Sequence, residues 1–455
     1  MSDDQRVDPV YKCAFVAITA VGFLMRLACF TGLIGSDDLV YSRFAQEISN
    51  LTYVPESIHY ALRYGLIIPV GLIYRIFGVH EWTTILAPLI ASTACVPLIM
   101  LIGKRLAGMR GALIAGVLLA SFPVALLYST ILVPEPVAGF YILVGLLLYL
   151  ESDDSNPIFF GVGSGLILGI SYVTKEPAAF VAMAVFFDAV IRRRWKAAVG
   201  VGIGAAAIVA TELAYYLATT GDVLYRFHAM KIHEETPMVL IVNQNLRYRL
   251  LESYPRLMLL PNTSFGIHSI VALVALIGLY KWRPPRMQLL LLWAIIPLGY
   301  LNFGSSSLSH YTALPVGDRY LEFCYAPLFL ITGYVLDHWI ADHRKILVTV
   351  CAALAVISAA GIWCGYVERQ QGWLTADVAV LRKIASEAAQ KNLTHVKYIR
   401  DPDRRWEESM AILAPKLLPT EQIQDADFVI GPDEFGLPSA ISATKKSAPQ
   451  LSNPN

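Results

Sequence analysis

Charge is scarce in this chain. Only 16% of its 455 residues are Asp, Glu, Lys or Arg, and the formal net charge is +1. So even a balance gives no electrostatic footprint for nucleic acid or for an acidic partner. Paired cysteines are also missing. Cys13, Cys29, Cys95, Cys324, Cys351 and Cys364 all lie in apolar runs without paired spacing. That excludes a disulfide framework and a cysteine zinc site. There is no Walker loop, no dinucleotide fingerprint, no HExxH pair and no internal repeat. The N-terminus, MSDDQRVDPVYK, is polar and acidic, and no small-residue cleavage site follows the first apolar run. That run reads as a retained anchor rather than a signal peptide. The Asn-x-Ser/Thr triplets at Asn50, Asn262 and Asn392 matter only in a host that glycosylates secreted asparagines.

Apolar sequence is abundant. The hydrophobic set makes up 56% of the chain and mean hydropathy is +0.54, whereas soluble domains sit near roughly 45–50% apolar. The chain is therefore expected to be an integral membrane protein. A spanning helix needs roughly 20 apolar residues. Runs at about 12–34, 82–103, 111–129, 132–150, 157–174, 177–191, 197–218, 266–281, 287–303, 320–339 and 346–366 give about eleven candidate spans. The run 64–78 is short, contains Pro69 and carries Arg75, so it is expected at a membrane interface.

The loops between these runs fall into two sets. One is short and basic: Lys104 to Arg110, Arg192 to Lys196, Lys281 to Arg286, and His343 to Lys345. The other holds Asp37-Asp38, Glu135, Lys175-Glu176, the 228–268 stretch and Asp318-Arg319. Cytoplasmic loops carry the excess of Lys and Arg, so the second set is expected on the outer face. The connector ESDDSNP at 151–157 is acidic although this scheme makes it cytoplasmic; acids weigh little in the charge rule. After Val367 the composition changes. A helix at 373–391, strands at 396–399 and 428–430 and a helix near 405–417 are expected to form a small outer α/β appendage. The tail from about 437 is rich in Ser, Ala and Pro and reads as disordered. The organisation expected is a transmembrane domain over 1–366, an extracytoplasmic α/β domain over 367–436 and a tail over 437–455.

Five constellations carry chemistry. In Ser36-Asp37-Asp38, Ser36 reads as a helix cap with two acids on the helix dipole. A carboxylate fixed there also suits a general base for an acceptor hydroxyl, or a metal ligand. Glu135 stands between two prolines at an outer turn: either a solvated turn acid, or an acid lining a water-filled cavity. Lys175-Glu176 is either a surface pair or a cation at the depth of a lipid-borne phosphate. Arg319-Tyr320 opens a span; the arginine either snorkels or binds phosphate oxygens in a bidentate fork. Arg63 is another cation at phosphate depth, and Arg26 within the first span should face the bundle or snorkel. In the outer loop 219–265, His228, His233 and Glu234 match no metal motif and read as solvated loop.

The order of these features resembles a known superfamily. An acidic pair follows the first span, then come an Arg-x-Gly interfacial run ending in Phe77-Gly78, GKRLAGMRGALIAG, LYSTILVPEP, SYVTKEPAAF and DRYLEFCYAPLFL. Over about residues 12–340 this is similar to the GT-C membrane glycosyltransferases. The branch resembled is that of dolichyl-phosphate-mannose–protein mannosyltransferases and aminoarabinose–lipid A transferases. The resemblance implies an all-α polytopic fold that inverts a sugar as it moves it from a polyprenyl-phosphate carrier to a lipid, glycan or protein acceptor. It also implies an outer-face site on the cytoplasmic membrane. Asp37 and Asp38 match the family's acidic pair and Tyr41 its tyrosine. Glu135 stands where the family has an acid, Lys175 matches its Thr-Lys, and Arg319-Tyr320 its late Arg-Tyr. The aminoarabinose branch has Lys-Pro-Pro where this chain has Arg63-Tyr64-Gly65, which leaves acceptor and carrier unassigned. By this implication Asp37, then Asp38, is the base. Glu135 orients the acceptor or a metal, and Lys175 and Arg319 hold donor phosphate, with Arg63, Glu176 and Tyr320 beside it. No cofactor is assigned, and a divalent cation is left unclaimed. A transporter is the main rival; it would favour midplane charges and repeat symmetry. The tryptophan-rich WWD signature of oligosaccharyltransferases is absent.

Overall fold

The computed structural model describes residues 9–234, 254, 258, 266–305, 311, 314, 316–342, 352–353, 355–361, 363, 373–399, 401, 404–422, 425–432 and 438–442. Outside them lie the basic cluster at 343–345, most of the loop beyond 234 and residues 443–455; the tail expected from about 437 is in part ordered, because Pro438–Ser442 pairs as a strand with Phe428–Pro432. The helices in chain order are α1 (Pro9–Ala28), α2 (Asp37–Asn50), α3 (Tyr64–Phe77), α4 (Glu81–Leu106), α5 (Gly108–Ala120), α6 (Pro123–Leu127), α7 (Pro134–Glu151), α8 (Pro157–Thr174), α9 (Ala179–Ile191) and α10 (Trp195–Thr220). They continue as α11 (Tyr225–Glu234), α12 (Gly266–Gly278), α13 (Met287–Phe303) and α14 (Glu322–Asp342).

Among the described residues, six helices are long and apolar enough to cross a membrane. A seventh span results if Gly108–Ala120 and Pro123–Thr130, bent by 57°, count as one. The expected eleven is not confirmed among the described residues. Helices α9 and α12 have 13 residues each and α13 has 17, short of the roughly 20 a bilayer core requires. The run 346–366 is described only in part. Outward-facing side chains on the long helices are large and apolar, among them Val16, Leu24, Ile90, Phe159 and Ile203. A surface of that kind suits lipid rather than water. The chain is a multi-pass membrane protein.

Helix ends sort the charges. Basic ends meet the acidic connector: Arg105 pairs with Glu151 at 2.6 Å and Asp154 at 3.1 Å, and Arg192 with Asp153 at 3.6 Å. Arg194 and Arg286 reach the same Asp153, and Arg110 sits 3.6 Å from Asp337 near the end of α14. The acids of ESDDSNP are therefore partners of the basic loops, which explains why they share an end. The opposite end carries the starts of α2, α7 and α14 and the end of α8.

Two close approaches place side chains at that opposite end. Helices α8 and α10 cross through Gly161, Gly165, Gly200 and Gly204; a methyl added at Gly165 would collide with the Val201 carbonyl. Small residues four apart let backbones touch where no hydrophobic force drives helices together. Gly65 similarly has no room for a methyl beside Thr174. This seats the start of α3 against the end of α8, bringing Arg63 to Glu176.

The C-terminal unit has helices α15 (Trp373–Gln390) and α16 (Arg405–Leu413) on a four-stranded sheet ordered β2-β1-β3-β4. Strand β1 (His395–Tyr398) pairs in parallel with β2 (Leu418–Pro419) and β3 (Phe428–Pro432); β3 pairs antiparallel with β4 (Pro438–Ser442). Its core joins Leu381, Val396, Trp406, Met410 and Ile430. Strands β2 and β4 are additional to those expected from the sequence. The two-residue β2 gives too short a run to read.

Candidate active site at one end of the bundle

The two adjacent acids have different jobs. Asp38 is fully buried and turns back on the preceding loop. Its carboxylate accepts the N–H groups of Ile34 at 2.6 Å, Ser36 at 2.7 Å and Gly35 at 3.4 Å. Burial pushes its pKa up to about 6, against the pull of those N–H groups. Ser36, expected to cap the helix, makes no side-chain cap bond. Asp38 instead ties down the amides of the loop that precedes the helix. Asp37, one step round the helix, points the other way. It accepts the Tyr60 hydroxyl at 2.9 Å and Arg319 Nη2 at 2.9 Å.

Glu135 lies in the first turn of α7 between Pro134 and Pro136. Proline at N1 loses no hydrogen bond, and an acid in the first turn meets the positive end of the dipole. The carboxylate is wholly buried. Lys175 Nζ lies 3.0 Å from its Oε1 and Arg319 Nε 3.5 Å. The Lys175 ammonium lies 4.6 Å, and the Arg319 guanidinium 5.5 Å, from the Tyr320 ring centre. Burial holds the Lys175 pKa below the usual lysine range, opposed by Glu135 and Tyr320. The buried ring of Tyr41 packs edge-on against Tyr60 at 5.2 Å.

A second chain of charge runs beside the first. Glu176 joins Arg63 and Arg226, the latter at 2.6 Å. Arg226 also donates through Nε to Glu212 at 2.8 Å and through Nη2 to the Leu62 carbonyl at 2.7 Å. Tyr216 donates to Glu212 at 3.0 Å. Sequence reasoning missed Glu212 and Arg226. Glu212 had a signal, since an ionisable residue inside an apolar span is a functional pointer by default. Arg226 had none in a polar loop.

The remaining residues singled out in the sequence lie away from this cluster or outside the described residues. Arg26 turns inward, donating to Ser92 Oγ at 2.7 Å and to the Gly22 carbonyl. His228 is exposed and pairs with Asp222 at 2.6 Å. The side chains of His233 and Glu234 lie outside the described residues. Among the described residues no group of three or more His, Cys, Asp or Glu is placed to hold a metal ion.

All the cations here are matched by carboxylates. Breaking one buried pair typically costs about 3–5 kcal/mol, because the survivor is left charged and dry. An incoming phosphate is one of the few ligands able to take over a buried ammonium and guanidinium from carboxylates. A hydroxyl beside Asp37 would meet a carboxylate fixed in place by two donors.

Comparison with known proteins follows from this geometry. Residues 69–216 match the family model of dolichyl-phosphate-mannose-protein mannosyltransferase. The fold is shared with the crystal structure of ArnT from Cupriavidus metallidurans bound to undecaprenyl phosphate. That match has a TM-score of 0.59 and 15% identity and covers 93% of each chain. The apo ArnT structure from Cupriavidus metallidurans matches with a TM-score of 0.57 and 14% identity, covering 92% of this chain and 91% of that one. No curated protein matches. The resemblance to the GT-C mannosyltransferase and ArnT branch is borne out.

Proposed function

We propose that this GT-C-fold chain transfers a sugar from a polyprenyl-phosphate carrier to an acceptor hydroxyl, with inversion, at the outer face of the cytoplasmic membrane. One observation carries the reading. Asp37, Arg319, Glu135 and Lys175 come from four separate segments, and Arg319 lies 282 positions from the Asp37 it touches. They form one continuous chain of charge. The ArnT structure with undecaprenyl phosphate supports a lipid-phosphate donor in the same fold. The basic loops at the far end support an outer position for the site.

In this reading Asp37 takes the acceptor hydroxyl proton as the oxygen attacks the anomeric carbon. The bond from that carbon to the carrier phosphate oxygen breaks, and the phosphate leaves with the electron pair. Lys175 and Arg319 receive that negative charge, with Arg63 behind them. Fixed cations aimed at a departing charge supply the electrostatic stabilisation. Glu135 holds both cations in place until phosphate arrives and orients the acceptor. Asp38 positions the loop rather than reacting, since its oxygens are already occupied by backbone N–H groups. Glu176 holds Arg63 in register. Lipid, glycan and protein hydroxyls all fit the chemistry.

The pH dependence tests the assignment of Lys175. Because burial lowers its pKa, the ammonium is lost as pH rises through a value below the usual lysine range. KM for the lipid-linked donor is therefore expected to climb on the alkaline side. Lys175→Arg keeps its charge there and is expected to move that limb upward. A limb that stays in place in Lys175→Arg removes Lys175 from the phosphate site.

A further inference from the structure

We propose that the C-terminal α/β unit is a positioning element of the active site, with Arg382 as the positioning residue that fixes the loop delivering Asp37. This rests on the reading of Asp37 as the base. The loop from Thr31 to Ser36 is held almost entirely by side chains. Thr31 N–H donates to Thr130 Oγ1 at 2.9 Å and Leu33 N–H to Glu81 Oε1 at 3.0 Å. Ile34, Gly35 and Ser36 donate to Asp38. Gly32 and Gly35 have φ of +71° and +75°, a region that favours glycine. No helix or strand fixes such a path, so its geometry depends on whatever packs against it.

The C-terminal unit supplies that packing from two helices. From α15, Arg382 Nη2 donates to the carbonyls of Thr31 at 2.9 Å and Leu33 at 3.3 Å, and also reaches Glu81. One guanidinium thus ties together the loop, the start of α4 and the appendage. Val378 of α15 and Ile412 of α16 join Leu33 and Leu39 in a separate apolar cluster. Gly35 sits so close that an added Cβ would lie 3.1 Å from Val378 Cγ2 and 3.8 Å from Ser409 Oγ. Asp37 is two residues further on. A displacement of about 1 Å at a reacting group is enough to cost roughly a hundred-fold in rate, so a clamp on this loop acts directly on turnover.

The test uses the full chain in proteoliposomes with a polyprenyl-phosphate sugar as donor. Arg382→Ala is expected to lower turnover at saturating donor by about ten-fold or more. KM for the donor should stay within about two-fold, because Lys175 and Arg319 are untouched. Amide hydrogen exchange at residues 31–36 should quicken, and Arg382→Lys should recover part of both losses. If Arg382→Ala does not accumulate, Glu81→Gln carries the same test; it keeps an acceptor, weakens the tie, and should shift exchange and turnover in the same directions. Asp37→Asn is measured alongside. Inactive Asp37→Asn with wild-type turnover or wild-type exchange in the Arg382 and Glu81 variants would overturn the positioning role alone. Wild-type turnover in Asp37→Asn would overturn the base assignment and this inference together.

Discussion

Asp37→Asn is expected to lower sugar transfer by at least about a hundred-fold while the protein still inserts and purifies as the folded species, since a positioned base contributes roughly 10²–10⁴-fold. The amide keeps the shape: its oxygen can still accept from Arg319, and its N–H₂ can donate to the Tyr60 hydroxyl, which can accept as well as donate, so both contacts, at 2.9 Å in the wild type, can persist. What it loses is the capacity to take a proton. The neighbouring substitution separates chemistry from scaffolding. Asp38→Asn places an amide N–H₂ against the N–H groups of Ile34 or Ser36, donor facing donor. Leaving a buried donor unmet costs about 1–3 kcal/mol. Asp38→Asn is therefore expected to lower the melting temperature of the purified protein, whereas Asp37→Asn leaves it nearly unchanged. Initial transfer rates and thermal unfolding of both variants check this pair. Equal activity in Asp37→Asn and wild type refutes the base.

Arg319→Ala carries the second large effect. Its guanidinium is the link between the two carboxylates, 2.9 Å from Asp37 and 3.5 Å from Glu135. Loss of one donor aimed at developing charge costs roughly 10²–10³-fold. The same change leaves Glu135 to Lys175 alone and frees Asp37 to swing. Transfer is expected to fall by about that factor, with KM for the donor rising as well, since the phosphate loses a ligand before and during reaction. Arg319→Lys is expected to rescue little. An ammonium is a point donor and does not bridge two carboxylates as a planar fork does. Steady-state kinetics over a range of donor concentrations read both effects. Full activity in Arg319→Lys would mean that the cation supplies charge only and that the fork has no role.

Much of the site was legible because chemistry-bearing residues interrupt apolar text. Asp37, Glu135, Lys175 and Arg319 each stand at a turn between long apolar runs, where a charge is conspicuous. The sorting of basic from mixed loops also survived, because helix ends bring Arg105, Arg192 and the 153–154 acids to one end. What the sequence hid was division of labour. Asp37 and Asp38 are chemically identical, and only the path of the preceding loop decides which one faces the cluster. The Arg63–Glu176–Arg226–Glu212 chain was hidden because Arg226, on α11, stands in a stretch that reads as polar loop with several other cations, and pairing across the fold leaves no local pattern. Arg382 was hidden for the same reason, lying 351 positions from its Thr31 partner on a helix whose periodicity reads only as amphipathic. The span count was less legible, because apolar length alone does not set where a helix ends: among the described residues α9 and α12 have 13 residues each.

The most direct measurement follows a labelled sugar in proteoliposomes holding the purified protein and extracted cell-envelope acceptors, supplied either as a polyprenyl-phosphate sugar or as a nucleotide sugar. The expected result is label moving from the polyprenyl-phosphate donor into a new glycosidic bond, with free polyprenyl phosphate released and no transfer from the nucleotide sugar. Label that accumulates inside the vesicles without a new bond, or that transfers from the nucleotide sugar, would contradict a pocket built to receive a lipid-borne phosphate.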